Sequence, residues 1–440
     1  MDTRLPGLVL ALACAALPAP AQHLSFTPFH PNGIYDLGEK AGWNVTLVPG
    51  ADAPEQYRYV IRKNNLAVIQ NGTLDLSSGR ATIETTLHEP AMLYVEVAPG
   101  AAPTPGEAAA SPPGAPAPGR SSAVHLGAAI APWKLAPSVP RPADFDAFWN
   151  AKLKALSDVP IHPVVTPSET LRSGVELYTV KLDSLGSRVQ GYLAKPSREG
   201  KFPALVIFQY AGVYALRPET VTDRAAEGWL AFDVDSHDLP PSESAGVAKN
   251  YQSIGNTSRE TSYFLNMYLR DARAIDYIAS RPDWDGKVIV ATGTSMGGQQ
   301  SLVTAGLRPQ ISAVIVNEPS GADTNGDLHG RKAGYPNWPS NNPQAMEAAL
   351  YFDTVNFASR IKAPVLAALG LIDTIAPPVG IWTAVNQVRG PKEVIPMVES
   401  DHNNLTPQKQ VAWELRSKEV LGLILSGGEF QPASEISQAR

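Results

Sequence analysis

VIVATGTSMGGQQSL, residues 288–302, joins an apolar β-forming run to a glycine-rich turn and then to a helix-forming stretch. Within it, Gly293-Thr294-Ser295-Met296-Gly297 has the G-x-S-x-G spacing. A serine displayed on a sharp strand-to-helix turn takes strained backbone angles, so its neighbours two positions away on either side must be small. Such a turn points the next amide, and the positive end of the helix, at charge developing on a reacting carbonyl. The five residues alone would also suit an ordinary glycine loop. The strand before and the helix after them make Ser295 a candidate nucleophile.

A serine hydroxyl attacks poorly without a base. In a strand–turn–helix site of this kind the chain order is serine, acid, histidine. Of eight histidines, only His329 and His402 follow Ser295. His329 sits in a polar, glycine-rich insertion before any good acid. His402 follows an expected strand at 393–398, in the loop Glu-Ser-Asp-His-Asn-Asn. The acid should lie between them, on a loop after a strand. Asp373 fits, after the apolar run 365–369 and before Ala376-Pro377-Pro378. It would orient the imidazole and stabilise the imidazolium. Glu318, after the expected strand 313–316, is the second choice; Asp401 is too local to brace its neighbour's ring. The second oxyanion amide should come from the loop Gln209-Tyr210-Ala211-Gly212-Val213-Tyr214. Tyr210 and Tyr214 are either substrate contacts or packing.

Outward from this core, apolar runs at 204–208, 230–234, 287–291, 313–316, 365–369 and 393–398 alternate with helical patterns at 143–156, 220–228 and 262–281. Continuously apolar strands alternating with helices predict an α/β fold: an α/β-hydrolase domain over 137–427, its mostly parallel sheet covered by helices on both faces. Residues 428–440 are expected as a C-terminal tail. Residues 23–98 carry short alternating strands with turn signals at Asn32-Gly33, Asn64-Asn65, Asn71-Gly72 and Ser78-Gly79, which predict a small Ig-like β-sandwich. Residues 99–136, beginning Pro-Gly-Ala-Ala-Pro-Thr-Pro-Gly, are expected as a Pro/Ala/Gly-rich linker.

The first 21 residues have a weak basic start at Arg4, an apolar stretch and Ala19-Pro20-Ala21, the pattern of a signal peptide cleaved near Ala21. The expectation is export to the periplasm or beyond, with no membrane span. The single cysteine, Cys14, falls inside that leader in a poor lipobox, so a cleaved chain has no thiol for disulfides, nucleophilic attack or metal binding. A net charge of −6 excludes the electrostatic footprint of a nucleic-acid binder.

On these residues the chain resembles the acetyl xylan esterases and cephalosporin C deacetylases of carbohydrate esterase family seven. PADFDAFW (142–149) resembles that family's opening helix, FQYAG (208–212) its oxyanion loop and LRDARAIDYI (269–278) the helix before its nucleophile turn. LIDTIAPP (371–378), GPKE (390–393) and SDHNN (400–404) resemble its acid and histidine segments. The resemblance implies Ser295 as nucleophile, Asp373 as acid and His402 as base, with oxyanion amides at Met296 and Val213. It implies no cofactor and no metal. Three departures stand out. Val213 occupies a place where the family usually has tyrosine, and Met296 one where glutamine is usual. Asp235-Ser236-His237-Asp238-Leu239-Pro240 replaces an Arg-Gly-Gln-Gly turn. The family forms hexamers, so a homo-oligomer is an expectation, although the added N-terminal domain stands against that assembly.

The reading is a secreted serine carboxylesterase that cleaves short-chain (acetyl) esters, with xylan or xylo-oligosaccharides the expected substrate, through an acyl-enzyme. Its partner is an acetylated carbohydrate or other small ester. A serine peptidase shares the triad, but its usual propeller partner is built from repeats of about 40 residues, and none is visible. A glucuronoyl-type or other carboxylesterase stays open because of the altered turn. A carbohydrate-binding protein with a dead hydrolase fold would have lost one of the three residues, and all three positions are filled.

Overall fold

The computed structural model describes residues 23–49, 56–101 and 123–433. The expected leader (1–21) and most of the expected linker lie outside them. Among the described residues the N-terminal region holds eight strands: β1 (Leu24–Pro28), β2 (Ile34–Tyr35), β3 (Lys40–Leu47), β4 (Tyr57–Lys63), β5 (Ala67–Leu74), β6 (Arg80–Thr86), β7 (Ala91–Pro99) and β8 (Val124–Ile130). They form two sheets, ordered β1-β3-β6 and β2-β8-β7-β4-β5. Trp43, Val45 and Ile83 of the first sheet bury against Ile61, Leu93, Val95, Ala128 and Ile130 of the second. Alternate residues of each strand thus meet in one core, as in a sandwich.

β8 corrects the expected linker boundary of 99–136. Val124–Ile130 pairs antiparallel with β7, Leu93 opposite Ala128. Its small residues Gly127, Ala128 and Ala129 look like linker composition. They are strand residues because the sheet buries them, and tertiary context outweighs local preference.

The larger region contains β9 (Val164–Ser168), β10 (Val175–Ser184), β11 (Ser187–Pro196), β12 (Phe202–Phe208), β13 (Leu230–Val234), β14 (Trp284–Thr294), β15 (Ala313–Asn317), β16 (Val365–Gly370) and β17 (Lys392–Met397). Their order is β17-β16-β15-β14-β12-β13-β11-β10-β9. β12 to β17 are parallel, and β9 to β11 add an antiparallel edge. The helices are α1 (Phe145–Ser157), α2 (Glu219–Glu227), α3 (Tyr263–Ser280), α4 (Met296–Leu307), α5 (Pro343–Ala349), α6 (Thr354–Ala358), α7 (Pro378–Gln387) and α8 (Pro407–Leu425).

The continuous apolar strands are explained by burial on both faces. In β12, Ala204, Val206 and Phe208 enter the core shared with α3 and α7, while Leu205 enters the core shared with α2 and α8. In β16, Val365, Ala367 and Leu369 face the first core and Leu366 and Ala368 the second. Each buried Val, Leu or Phe among them contributes about 1.5–3 kcal/mol on burial, so both faces must be apolar. This is the α/β-hydrolase architecture that the strand–helix alternation predicts. The expected C-terminal tail is partly packed: Phe430 is buried against α8, and the Ala433 amide donates to Glu393 Oε2 at 3.1 Å.

Candidate active site

Ser295 stands between β14 and α4 with φ 57° and ψ −121°. A non-glycine residue pays for such angles unless its surroundings over-determine them. Here they do. The Ser295 amide donates to Asn317 O at 3.0 Å, and its carbonyl accepts from the Ser320 amide at 3.1 Å and the Gln299 amide at 3.0 Å. The turn has no room for side chains. A Cβ on Gly293 would lie 2.4 Å from the Gly297 carbonyl carbon, and one on Gly297 would lie 2.1 Å from Phe208 O. Both small positions of the G-x-S-x-G pattern therefore have a steric cause. α4 is buried along its whole length, so its N-terminal end acts on the site with little solvent screening.

Ser295 Oγ lies 2.8 Å from His402 Nε2, and His402 Nδ1 lies 2.7 Å from Asp373 Oδ2. A carboxylate only accepts, so Nδ1 carries the proton and Nε2 of the neutral ring accepts from the serine hydroxyl. Asp373 is fully buried, and its Oδ1 accepts the amides of Ile375 and Ala376, both at 2.8 Å. The acid is thus held by its own turn at the end of β16. Burial by itself would lower the pKa of His402. The hydrogen bond and charge of Asp373, with the charges of Glu318 and Asp401, outweigh burial and leave it raised.

Glu318 enters the same site. It follows β15 with φ 45° and is fully buried. Its Oε1 accepts from Ser400 Oγ at 3.0 Å and Gln410 Nε2 at 3.2 Å. Its Oε2 has no hydrogen-bond partner and lies 4.0 Å from His402 Nδ1. Burial, then the charge of Asp373, push Glu318 up to about 7. Glu318, Asp373 and His402 are also a group whose ligand atoms fall within 4.8 Å of one another. A cation there would have to displace the proton shared by His402 and Asp373, so the arrangement suits proton handling better than metal binding. Asp401 accepts the amides of Asn403 and Asn404 at 2.9 and 2.7 Å and pairs with Lys409, shaping the histidine loop instead of touching the ring. His329 is exposed on a surface turn.

Met296 opens α4 and Val213 is half-buried in the loop facing it. That loop is held from behind by Gln300 and by the segment after β13. Gln300 Nε2 donates to Gln209 O at 2.8 Å, and the Ser236 amide donates to Gln209 Oε1 at 3.0 Å. His237 Nε2 lies 2.8 Å from Gly212 O, and its Nδ1 lies 3.0 Å from Tyr263 Oη. A carbonyl can only accept, so Nε2 carries the proton and Nδ1 accepts from the tyrosine. Burial lowers His237 to about 4, keeping the ring neutral. Asp235-Ser236-His237, which stands where the resembled family has Arg-Gly-Gln-Gly, is therefore a buried brace for the loop. Tyr251 and Tyr335 hydroxyls both point at Met296 Sδ, at 3.4 and 3.2 Å. Tyr210 is 55 % exposed and stacks on Tyr214, ring centres 4.5 Å apart. The unusual turn sequence was the signal for His237; nothing in the chain order pointed to Tyr251 or Tyr335.

Fold and site geometry together define a hydrolase of the α/β-hydrolase class. A family profile described as acetyl xylan esterase (AXE1) matches residues 134–325 and 334–417. That is more than half the chain, and the chain belongs to this family. An acetyl esterase, Axe7A, from Xylanibacter ruminicola is 29 % identical over 419 residues, covering 90 % of this chain and 91 % of that protein. Among solved structures, an acetyl xylan esterase from Paenibacillus sp. R4 superposes with TM-score 0.57 at 25 % identity, over 66 % of this chain and 98 % of its own. Acetyl xylan esterase 1 from Thermoanaerobacterium sp. JW/SL YS485 superposes with TM-score 0.55 at 24 % identity, over 64 % and 96 %; this second likeness speaks to the fold. Among the described residues no helix is long and apolar enough to cross a membrane.

Proposed function

We propose that this chain is an exported serine esterase that releases acetyl groups from acetylated carbohydrate, xylan or xylo-oligosaccharide being the substrate class. The observation that carries the mechanism is the unbroken relay Ser295 Oγ–His402 Nε2 at 2.8 Å and His402 Nδ1–Asp373 Oδ2 at 2.7 Å. His402 takes the Ser295 proton as Oγ bonds to the ester carbonyl carbon. The amides of Met296 and Val213 receive the oxyanion. The tetrahedral adduct expels the sugar hydroxyl, which leaves with the proton from His402, and the acetyl group stays on Ser295. Water then attacks the acyl-enzyme by the same route, freeing acetate and restoring the serine. Asp373 keeps the imidazole in the required tautomer throughout. The acetyl group is supported by the activities named for the relatives above, and export by the leader-like first 21 residues.

Ser295→Ala should lower acetate release from 4-nitrophenyl acetate by at least about a thousand-fold. Undiminished turnover would sink the mechanism. Wild-type enzyme should favour acetyl over butyryl and octanoyl esters and release acetate from acetylated xylo-oligosaccharides. A preference for octanoyl esters with no sugar acetate released would leave an esterase and remove the carbohydrate.

A further inference from the structure

The N-terminal sandwich does not merely precede the hydrolase; it presses on the loop that carries Asp373. Leu371, two residues before the acid, is fully buried and belongs to the same apolar cluster as Ile34, Met92 and Ala129 of the sandwich. Two sandwich glycines make room for it. A Cβ on Gly33 would lie 2.7 Å from Leu371 Cδ1, and one on Gly127, in β8, would lie 2.4 Å from Leu371 O. The backbone of the acid loop is thus in direct van der Waals contact with β8.

The contact then reaches the acid itself. Asn64 and Asn65 connect β4 to β5 with φ 53° and 57°, and the Leu66 amide donates to Lys63 O at 3.0 Å. Two consecutive left-handed residues inside such a closure make a type I′ turn, for which asparagine is well suited. Asn65 is fully buried, and its Nδ2 donates to the backbone carbonyl of Asp373 at 3.0 Å. That carbonyl has no other hydrogen bond among the described residues. Asn64 anchors the turn on both sides. Its Oδ1 accepts the Met92 amide at 2.9 Å, and its backbone carbonyl accepts the Lys332 amide at 2.9 Å, from the hydrolase.

We propose that the sandwich is a positioning part of the active site: the Asn64-Asn65 turn, with the glycine surface at 33 and 127, clamps Leu371–Asp373 so that the Asp373 carboxylate faces His402. Asn65 is a positioning residue; it touches neither substrate nor the reacting atoms. Its effect passes through one backbone carbonyl, and a buried carbonyl left without a partner shifts to find one. Asp373 Oδ2 sits only 2.7 Å from His402, so a small tilt of the loop loosens the ring that must accept the serine proton.

The proposal rests on the Ser295–His402–Asp373 assignment proposed above. It is tested in the full-length chain with Asn65→Gly, which keeps the left-handed backbone and removes the donor, and with Asn65→Asp, which keeps the size and offers an acceptor to a carbonyl. Ile83→Val, buried in the far sheet of the sandwich, controls for lost stability. Active sites are counted by titration with a sulfonyl fluoride, and kcat and KM for 4-nitrophenyl acetate are measured across pH. Both Asn65 variants should lose about ten-fold or more in kcat per titrated site with KM little changed. In Asn65→Gly the acid limb of the kcat profile should move to lower pH, because Asp373 supports the imidazolium less well. Ile83→Val should lower the melting temperature and leave kcat and the limb in place. Wild-type kcat and limb in Asn65→Gly, or the same limb shift in Ile83→Val, would overturn the proposal. Ser295→Ala separates the two failures: turnover that survives it removes the triad assignment, whereas a dead Ser295→Ala beside unaffected Asn65 variants removes only the clamp.

Discussion

Two carboxylates face one imidazole, and they do different work. Asp373 Oδ2 bonds His402 Nδ1 at 2.7 Å, whereas Glu318 Oε2 stays at 4.0 Å with its other oxygen held by Ser400 and Gln410. Glu318 is raised to about 7, so it is mostly neutral below that pH and charged above it. Once charged, it adds to the field that favours the imidazolium. Glu318→Gln should therefore leave kcat/KM little changed at pH 6. It should cost a few-fold in rate at pH 8 to 9, where the imidazolium formed during attack no longer has that second charge beside it. A pH profile identical to wild type would show that Glu318 is only packing. Stability gives an independent check. A carboxyl whose folded pKa lies above its unfolded value near 4.5 contributes stability at low pH that is lost as pH rises through about 7. Glu318→Gln should remove that loss, raising the melting temperature relative to wild type at pH 8 more than at pH 5. Chain order makes Ser295 and His402 legible, since one histidine alone meets the order and the context. It leaves Asp373 and Glu318 both eligible, because each follows a buried strand. The sequence places Asp373 first by the turn before Ala376-Pro377-Pro378 and by the resemblance; in the structure it is also the nearer to Nδ1, at 2.7 Å against 4.0 Å.

At the scale of elements, the parallel strands were readable because burial on both faces demands unbroken apolar runs, as in β13 and β16. The elbow was readable because its glycines answer a steric need. β8 was not, since Gly127-Ala128-Ala129 takes its strand state from its neighbours. Nor was β9, an edge strand exposed at nearly every position, so that no alternation marks it. The brace under the loop at 209–214 belongs to the same class. The segment after β13 reads only as a departure from a familiar turn, and its role emerges from His237 reaching Gly212 and Ser236 reaching Gln209. His237→Phe keeps the ring's shape and removes both hydrogen bonds. The loop carrying the Val213 amide should then loosen, lowering kcat for acetyl esters roughly ten-fold, less than outright loss of an oxyanion donor. Because His237 is neutral from about pH 5 upward, the loss should be equal at pH 6 and pH 9. A loss confined to one end of that range would mean titration and would contradict bracing.

The molecule as a whole has no clean seam between sandwich and hydrolase. Ile34, Met92 and Ala129 from the first and Leu371, Ala376 and Val379 from the second lie in a single buried cluster. Met92 is also tied through its amide to Asn64, whose carbonyl receives Lys332. From sequence alone the two read as separate domains, because composition changes sharply between them. Composition carries no information about a junction assembled from residues hundreds of positions apart, such as Asn65 and Asp373. Domains that share a core lose each other's buried surface on unfolding, so their transitions should couple, unlike those of independent modules. Calorimetry of the full-length protein should accordingly show one transition. Met92→Ala, at the junction, should cost about 2–5 kcal/mol through lost burial and the cavity it leaves. The cost should move the whole transition to lower temperature and lower acetyl esterase activity at the same temperatures. Two peaks, with only the first displaced by Met92→Ala and esterase activity following the second, would show that the sandwich melts by itself and that the hydrolase holds Asp373 without it.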